Sequence, residues 1–366
     1  MKITAAVVRE KATELHIESL ELDEPLADEV LVKIVGTGVC HTDMVVRDQG
    51  YAVPLPMVLG HEGAGIVEKV GTSVTHLKPG DHVVLSYGYC GTCSNCRAGK
   101  PGYCEDFYEH NFKGCRMDGS CCHTDAVGKK VGGTFFSQSS FASHALVNAS
   151  NAVKIPSDVP LEIMGPLGCG IQTGAGAVLN ALKPEAGSSI AIFGAGSVGL
   201  SAAMAAVIAG CTKIILIDVN PGRLELAKSL GATHVINGKE TDAVEEIRAL
   251  TEGKGTDYSL ECTGHSAVLT QAVNSLRIPG LCGLIGAADQ GVHVSLDINT
   301  LLFGRSVRGI IEGDSVPQIF IPRLVELWRS GKFPFDKLIT FYPLSEINQA
   351  IRDSESGKTL KPVVRP

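Results

Sequence analysis

The sequence lacks any uncharged apolar run of the about 18 residues that a membrane-spanning helix needs. The apolar run near the first residue is too short for a signal peptide. Charges of one sign form no long run and the formal net charge is only −7, which disfavours a surface for nucleic acid or anionic lipid. We therefore expect a soluble, cytoplasmic protein that acts on a small molecule.

Aromatic residues are also scarce, at 5% of the chain, whereas glycine is abundant at 42 residues. This balance is typical of an α/β enzyme with many tight turns. A length of 366 residues exceeds one ordinary hydrophobic core and predicts about two domains. The 12 cysteines point to metal binding, because disulfides are rare in the cytoplasm.

Four cysteines follow one another at spacings of three, three and eight residues: Cys90, Cys93, Cys96 and Cys104. Four thiolates can surround one tetrahedral zinc ion and leave no vacancy for a substrate, which indicates a structural site. An iron–sulfur site and a disulfide pair are the competing interpretations. Zinc is favoured, because the fourth cysteine lacks the proline that follows it in the bacterial iron–sulfur run. The next cysteines do not repeat the spacing and are interpreted as ordinary thiols: Cys115, Cys121 and Cys122.

A second metal site is indicated by residues that lie far apart along the chain. Cys40 and His61 are ligand types that zinc prefers, and both lie beside glycines, where the backbone can turn tightly. Taken singly, such a cysteine is more often a small buried hydrophobe, and such a histidine is more often a structural donor. Cys169, between two glycines, is the third candidate, and three ligands leave one position open. Thr42 lies two residues after Cys40, where its hydroxyl can reach the open position of the metal. Glu62 lies next to His61, where an acid can support a metal ligand.

The middle of the chain carries a nucleotide-binding pattern. A short buried strand at 189–193 precedes the fingerprint Gly194-Ala195-Gly196-Ser197-Val198-Gly199, an apolar helix and a second strand that ends at Asp218. A lone glycine fingerprint is weak evidence, but this order places a pyrophosphate on a helix N-terminus and an acid on the adenosine ribose. The acid favours NAD over NADP, although Arg223 is close enough in sequence to reach the ribose or a phosphate.

The chain opens and ends with segments of β type, and its middle alternates short strands with helices. The opening segments show period-two alternation bounded by turn residues, which indicates antiparallel strands. The alternation that follows predicts a doubly wound parallel sheet. Further strands are expected at 292–296 and 306–311, and either is available to pair with a second subunit. The β-type tail is expected to rejoin the first domain.

With these motifs the sequence resembles the zinc-dependent, medium-chain alcohol dehydrogenases over essentially its whole length. The segment from Gly60 to Val74 carries the signature G-H-E-x-x-G-x-x-x-x-x-G-x-x-V, in addition to the four-cysteine lobe and the glycine fingerprint. The aryl (benzyl) alcohol dehydrogenases are the most similar branch. The resemblance implies a GroES-like catalytic domain formed by residues 1–170 and 312–366. It implies a Rossmann NAD-binding domain formed by residues 171–311.

The same resemblance implies roles for individual residues. The ligands of one catalytic zinc ion would be Cys40, His61 and Cys169, and the four-cysteine lobe would hold a structural ion. The catalytic group would comprise the residue that hydrogen-bonds the substrate oxygen and two supporting acids: Thr42, Asp43 and Glu62. Cofactor contacts, beyond the fingerprint and Asp218, would come from His41, Thr173, Arg223 and Lys361.

One position departs from the pattern of many relatives. Val45 stands where they place a histidine that passes the alcohol proton to water, and the aryl branch resembles this sequence in lacking it. We expect a water molecule to take that role. By position, the candidate wall residues of the substrate pocket are Tyr51, Ser86, Ile285 and Ala287, and the last two are also expected beside the cofactor.

The sequence therefore predicts zinc-dependent oxidation of a primary, aromatic alcohol to the aldehyde by hydride transfer to NAD, and the reverse reduction. A homo-oligomer, dimer or tetramer, is expected to associate through the NAD domains. A glutathione-dependent formaldehyde dehydrogenase and a general aliphatic alcohol dehydrogenase share the motifs. A non-catalytic zinc- and NAD-binding protein is disfavoured, because all three catalytic ligand positions are filled.

Overall fold

The computed structural model describes all 366 residues and divides into two compact units. The first unit comprises Met1–Gly170, Val316–Glu326 and Asp336–Pro366, and the second comprises Ile171–Ser315 and Leu327–Phe335. No helix combines the length and the apolar character that crossing a lipid bilayer requires.

The unit boundaries differ from the predicted domains in two short segments, 312–315 and 327–335, which fall in the second unit. The Glu312 carboxylate accepts hydrogen bonds from the Gln172 amide at 3.4 Å and the Thr173 hydroxyl at 3.3 Å. Trp328 packs against Phe335, with ring centroids 6.5 Å apart. These contacts are between residues of the second unit, which explains the shift.

The first unit is built on mostly antiparallel sheets around the long strand Glu29–Gly38, with one parallel pair between Ile339–Pro343 and Lys361–Arg365. This strand pairs with Gly63–Val70, His144–Asn148 and Lys361–Arg365. The tail therefore rejoins the first unit, as predicted. The same sheet continues with the strands His82–Leu85, Ala152–Ile155 and Ile339–Pro343. A second sheet has the order Met57–Val58, Lys2–Val8, His16–Leu22, His123–Thr124 and Lys130–Val131.

Helices in the first unit are few and mostly short. They are His41–Arg47, Ser94–Arg97, Phe107–Phe112 and Ile347–Glu355, and the first unit also contains most of a longer helix, Pro317–Arg329. The first of them begins directly after the central strand ends at Gly38, so the strand and the helix together hold the intervening Cys40 in place.

The second unit contains a six-stranded sheet in which every pairing is parallel. Its spatial order is His234–Asn237, Lys213–Asp218, Ser189–Phe193, Thr256–Glu261, Leu276–Leu284 and Arg305–Gly309. In the chain order of this unit that is 3-2-1-4-5-6, the order of a doubly wound dinucleotide-binding sheet. The helices of this unit are Gly170–Gly176, which continues into a wider π-helical stretch at Ala177–Leu182, then Ser197–Ala209, Pro221–Ser229, Ala243–Leu250, Ser266–Asn274 and Ile298–Leu302.

The predicted fold class is confirmed, but the predicted strand at 292–296 is wrong. That segment has no regular structure, and its residues are largely exposed. Its alternating valines, Val292 and Val294, have no sheet face to cover, so alternation alone did not produce a strand. The other predicted strand exists as Arg305–Gly309 and forms the edge of the parallel sheet.

Candidate metal centres and cofactor site

Residues from three separate stretches of the first unit converge at its candidate catalytic centre. The ligand atoms of Cys40, His61, Glu62 and Cys169 all lie within 4.8 Å of one another. Cys40 precedes the helix His41–Arg47, and Cys169 follows a tight turn at Gly165–Gly168. His61 follows Gly60, whose φ of +89° is a conformation that side chains rarely adopt. The fold thus brings together the three cysteine and histidine positions predicted from the sequence.

The buried carboxylate of Asp43 orients two of these ligands. Asp43 Oδ2 accepts a hydrogen bond from the Cys40 backbone N–H at 3.0 Å. Oδ1 accepts from the Gly60 backbone N–H at 3.0 Å and lies 3.0 Å from His61 Nδ1. His61 Nε2 is buried and has no hydrogen-bond partner. The proton therefore belongs on Nδ1, and the lone pair of Nε2 is available to a metal ion. This is the arrangement of metal-binding histidines.

The donor set fits zinc. Two thiolates and one imidazole match the ligands that a catalytic zinc ion takes while keeping a position open. The Cys40 thiol has a pKa well below its usual value, chiefly because it is hydrogen-bonded to Cys169. Burial acts against this shift, and the charges of His61 and Lys361 lower the pKa further. The ligand form of the cysteine is therefore favoured.

Glu62 lies beside the ligands but is held by a buried lysine. Its carboxylate oxygens accept hydrogen bonds from Lys361 Nζ at 2.8 and 2.9 Å, and one oxygen also accepts from the Gly170 backbone N–H at 3.1 Å. Burial raises the pKa of Glu62, while the Lys361 charge opposes that rise. A Cβ at Gly38 would meet Glu62 Oε2 at 2.0 Å, so only glycine fits there.

Lys361 is buried and forms an ion pair with Glu62. Its side chain is 1% exposed, and its ammonium donates to Glu62 and to the Val39 backbone oxygen, the latter at 3.3 Å. The predicted contact of Lys361 with the pyrophosphate therefore remains a prediction, beside the ion pair that the structure shows. The ammonium is used to neutralise a buried carboxylate, because an isolated charge there would be very unfavourable.

Thr42 lies at the same centre. Its hydroxyl oxygen is 3.8 Å from Cys40 Sγ. Thr42 belongs to the helix His41–Arg47, which also carries His41, which is exposed, and Val45, which is half-buried and has no group that can carry a proton. Ser86, predicted for the pocket wall, is fully buried and donates its hydroxyl proton to the Gly168 carbonyl at 2.7 Å.

Aromatic rings enclose His61, a feature that the sequence analysis missed. Phe136 stacks on the imidazole with ring centroids 4.6 Å apart, and Phe135 meets it edge-on at 5.3 Å. Phe136 adopts a left-handed backbone conformation, with φ +48° and ψ +38°. Gln138 ties the same segment to the ligand, because its side-chain N–H donates to the His61 carbonyl at 3.0 Å. No sequence signal points to this segment, which lies more than 70 residues from the histidine.

The four closely spaced cysteines predicted to bind a structural ion form a second cluster. The sulfurs of Cys90, Cys93, Cys96 and Cys104 lie within 4.8 Å of one another. Backbone N–H groups surround them, and those of Thr92 and Cys93 donate to Cys90 Sγ at 3.4 and 3.3 Å. These bonds lower the pKa of Cys90 to about 6. Four thiols with no further donor fit a structural zinc ion.

In the second unit the predicted fingerprint lies at the carboxyl edge of the parallel sheet. Gly194 has a φ of +105°, and Gly196 precedes the helix Ser197–Ala209, whose first residues include Val198. A Cβ at Gly199 would meet the Gly194 carbonyl oxygen at 1.8 Å, so the close packing of helix and strand needs glycine. This is the glycine geometry that lets a pyrophosphate approach a helix N-terminus.

Asp218 ends the neighbouring strand and fixes the same loop. One of its oxygens accepts a hydrogen bond from the Ala195 backbone N–H at 2.6 Å, and the other accepts from the N–H groups of Val219 and Asn220 at 2.8 Å. Arg223 Nε is buried and has no hydrogen-bond partner, which leaves a donor for a ligand. The carboxylate and the guanidinium lie on the side of the fold where an adenosine ribose binds.

The remaining predicted cofactor residues lie around this edge or are turned inward. Ile285 and Ala287 follow the strand Leu276–Leu284 at its carboxyl end, and the Ile285 backbone N–H donates to Glu261 at 2.9 Å. Thr173 is 8% exposed and its hydroxyl donates to Glu312. These positions are compatible with a dinucleotide along the carboxyl ends of the strands.

Comparison with known proteins gives matches over the whole chain. Residues 26–157 match the alcohol dehydrogenase GroES-like domain, and residues 197–328 match the zinc-binding dehydrogenase family. Geraniol dehydrogenase from Castellaniella defragrans is 47% identical over 98% of this chain and 96% of its own. The crystal structure of benzyl alcohol dehydrogenase from Acinetobacter calcoaceticus is 50% identical with a TM-score of 0.96, covering 100% and 99% of the two chains. An alcohol dehydrogenase zinc-binding domain protein from Burkholderia ambifaria is 55% identical with a TM-score of 0.98, with the same coverage.

Proposed function

We propose that this chain, which belongs to the zinc-dependent medium-chain alcohol dehydrogenases, oxidises primary alcohols whose carbinol carbon is bonded to an aromatic ring or another unsaturated carbon. This proposal rests on the aromatic rings that pack around His61, the residue placed to bind the catalytic zinc ion. Phe135 and Phe136 contact the imidazole directly, and Phe112 packs against both rings. A flat unsaturated group packs favourably beside such rings.

The aromatic cluster extends well beyond these three rings. Tyr108 stacks on Phe112 at 4.9 Å, and Tyr51, a predicted pocket residue, meets Phe112 edge-on at 5.8 Å. Aromatic residues are only 5% of the chain, yet several of them form a connected series of ring contacts that reaches His61. Benzyl alcohol and geraniol, named for two similar proteins, share an unsaturated carbon next to the carbinol. That common feature supports the proposed substrate class.

The residues of this chain can be assigned to parts of the reaction. A zinc ion held by Cys40, His61 and Cys169 would supply Lewis acidity to the alcohol oxygen, and NAD would accept the hydride. Thr42 is placed to take the hydroxyl proton, because its oxygen is 3.8 Å from Cys40 Sγ. Asp43 holds the Cys40 backbone and the His61 ring in fixed orientations. Val45 cannot continue a proton path, so we propose that water does.

A panel of matched alcohols tests the substrate class. We expect kcat/KM for benzyl alcohol to exceed that for cyclohexylmethanol, and that for geraniol to exceed that for citronellol, each by about 10-fold from ring packing. Reduction of benzaldehyde and of cyclohexanecarbaldehyde is the control. Conjugation makes the aromatic alcohol easier to oxidise but does not make the aromatic aldehyde easier to reduce, so a preference that comes from ring packing should appear in both directions. Equal kcat/KM values for ethanol and benzyl alcohol, or a preference for S-hydroxymethylglutathione, would refute the proposal.

We also propose a homo-oligomer formed through the second unit. Its parallel sheet ends at the strand Arg305–Gly309, which pairs on one side only. Large apolar side chains are exposed just before this strand, with Leu302 at 73% and Phe303 at 64%. An open strand edge beside exposed apolar residues suits pairing with a second copy.

Light scattering at micromolar concentration is expected to give the mass of two or four chains. Leu302→Glu should lower that mass, whereas Ile319→Glu, a change at another apolar residue that is 61% exposed, should leave it unchanged. A wild-type mass of one chain would overturn the proposal.

A further inference from the structure

The loop between residues 114 and 122 carries two cysteines that belong to neither metal centre. The Arg116 backbone N–H donates to the Ser120 carbonyl at 2.9 Å, and the Gly119 N–H donates to the Arg116 carbonyl at 2.9 Å. The chain thus folds back on itself, and Cys115 and Cys121 are the residues directly outside this turn. Their sulfur atoms lie 2.7 Å apart.

This separation places the two thiols within reach of a bond. Even carbon atoms in contact lie about 3.5–4.0 Å apart, and sulfur is larger than carbon. The backbone on either side of the turn is also tied down, because the Gly133 N–H donates to the Gly114 carbonyl at 3.1 Å and Lys130 Nζ donates to the Cys121 carbonyl at 3.2 Å. The surroundings therefore hold the two sulfurs against each other.

The loop is packed on the first unit through Arg116. The Arg116 guanidinium binds the Glu29 carboxylate through two hydrogen bonds, at 2.7 and 2.9 Å, and its third nitrogen lies 3.3 Å from an Asp23 oxygen. Both cysteines are only half-buried. Cys115 and Arg116 also line a cavity of 670 Å³, through which a small reagent can approach Cys115.

We propose that Cys115 and Cys121 form an intrachain disulfide when the protein meets a two-electron oxidant such as hydrogen peroxide. In the first step one thiolate attacks the peroxide, which gives a sulfenic acid and releases hydroxide. The second thiolate then attacks the sulfenic sulfur and releases a second hydroxide. Two electrons pass from the sulfur pair to the peroxide, the two thiol protons end on the two hydroxides as water, and a thiol reductant reverses the bond.

The rate of this reaction should depend on pH. Burial raises the pKa of Cys115 to about 11, the neighbouring Cys121 thiol acts in the same direction, and the positive charge of Lys113 opposes them. Because the thiolate is the nucleophile, oxidation should be slow at neutral pH and accelerate towards pH 9.

The position of Arg116 makes the bond easy to detect. After the remaining thiols are alkylated, trypsin cleaves at Lys113, Arg116 and Lys129 and separates the two cysteines onto different peptides, Gly114–Arg116 and Met117–Lys129. Peroxide-treated protein should yield these peptides joined, with a mass two hydrogen atoms below their sum. Treatment with dithiothreitol before alkylation should abolish the joined species.

Cys122 lies on the same tryptic peptide and provides the matched control. It is fully buried, and its sulfur lies 3.5 Å from the Gly133 carbonyl oxygen. We expect Cys122→Ser to keep the joined peptide and Cys121→Ser to lose it. If either variant misfolds, fragmentation of the wild-type peptide between Cys121 and Cys122 shows which of the two is bonded to Cys115. The proposal is overturned if peroxide leaves Cys115 free to alkylate, or if Cys115 is joined to any other cysteine.

Discussion

Cys40→Ala is expected to reduce the zinc content from two ions per chain to one and to lower alcohol turnover by about 10³-fold or more. The loss of one thiolate from a three-ligand set leaves His61 and Cys169, which cannot hold an open tetrahedral site. The Lewis acid then disappears from the reaction, and its contribution to transition-state stabilisation amounts to several kcal/mol. Metal analysis and steady-state oxidation of benzyl alcohol on the same sample provide the measurement.

Cys211→Ala is the matched control for this experiment. Cys211 is a buried cysteine that belongs to neither cluster. Its removal should leave two zinc ions and wild-type turnover. If the Cys40→Ala protein bound one zinc ion and still oxidised alcohol at the wild-type rate, the three-residue centre would not be catalytic.

Lys361→Met is expected to destabilise the first unit by about 3–5 kcal/mol, the usual cost of leaving one member of a buried ion pair without its partner. Lys361 and Glu62 are 1% and 0% exposed, and their charged groups lie 2.8 Å apart. Removal of the ammonium leaves a buried carboxylate beside two thiolates, so Glu62 must take up a proton or draw in water. The midpoint of urea denaturation, followed by fluorescence or circular dichroism, measures the effect.

Two further variants separate this interpretation from others. Lys358→Met removes a lysine of the same region whose side chain is 70% exposed and pairs with Asp353 at 3.0 Å, and it should leave the denaturation midpoint nearly unchanged, because water screens an exposed ion pair. Adding Glu62→Gln to Lys361→Met should recover much of the lost stability, because no charge is left without a partner. If Lys361→Met instead raised the KM for NAD and left the denaturation midpoint unchanged, the predicted pyrophosphate contact would be the correct role.

The grouping of the four structural cysteines was predictable because these ligands are local in the chain. Cysteines at positions 90, 93, 96 and 104 are close in sequence, so the short lobe that carries them can surround one ion without help from the rest of the chain. The glycine fingerprint is local in the same sense, since Gly194 and Gly199 contact each other within one strand–helix turn. The predicted edge strand at 292–296 failed for the opposite reason, because sheet pairing depends on partners that the segment does not specify.

The surroundings of His61 could not be predicted in this way. Phe136 stacks on the ring from 75 positions further along the chain. Phenylalanine does not favour the left-handed backbone conformation that it adopts there, so the residue type did not indicate it. Lys361 reaches Glu62 because the last strand pairs with the central strand of the sheet. Each contact exists only after long-range pairing is complete.

The amino-acid sequence by itself determined the kinds of chemistry available, namely zinc ligation by cysteine and histidine and a glycine turn for a dinucleotide, because residue types and short spacings carry that information. The tertiary structure alone decided which buried groups act on those ligands. It showed that Asp43, already expected as a supporting acid, contacts both Cys40 and His61, and it placed Lys361 on Glu62. The physical reason is that burial makes an unpaired charge or hydrogen-bonding group unfavourable, and partners for such groups are selected by packing between segments distant in sequence.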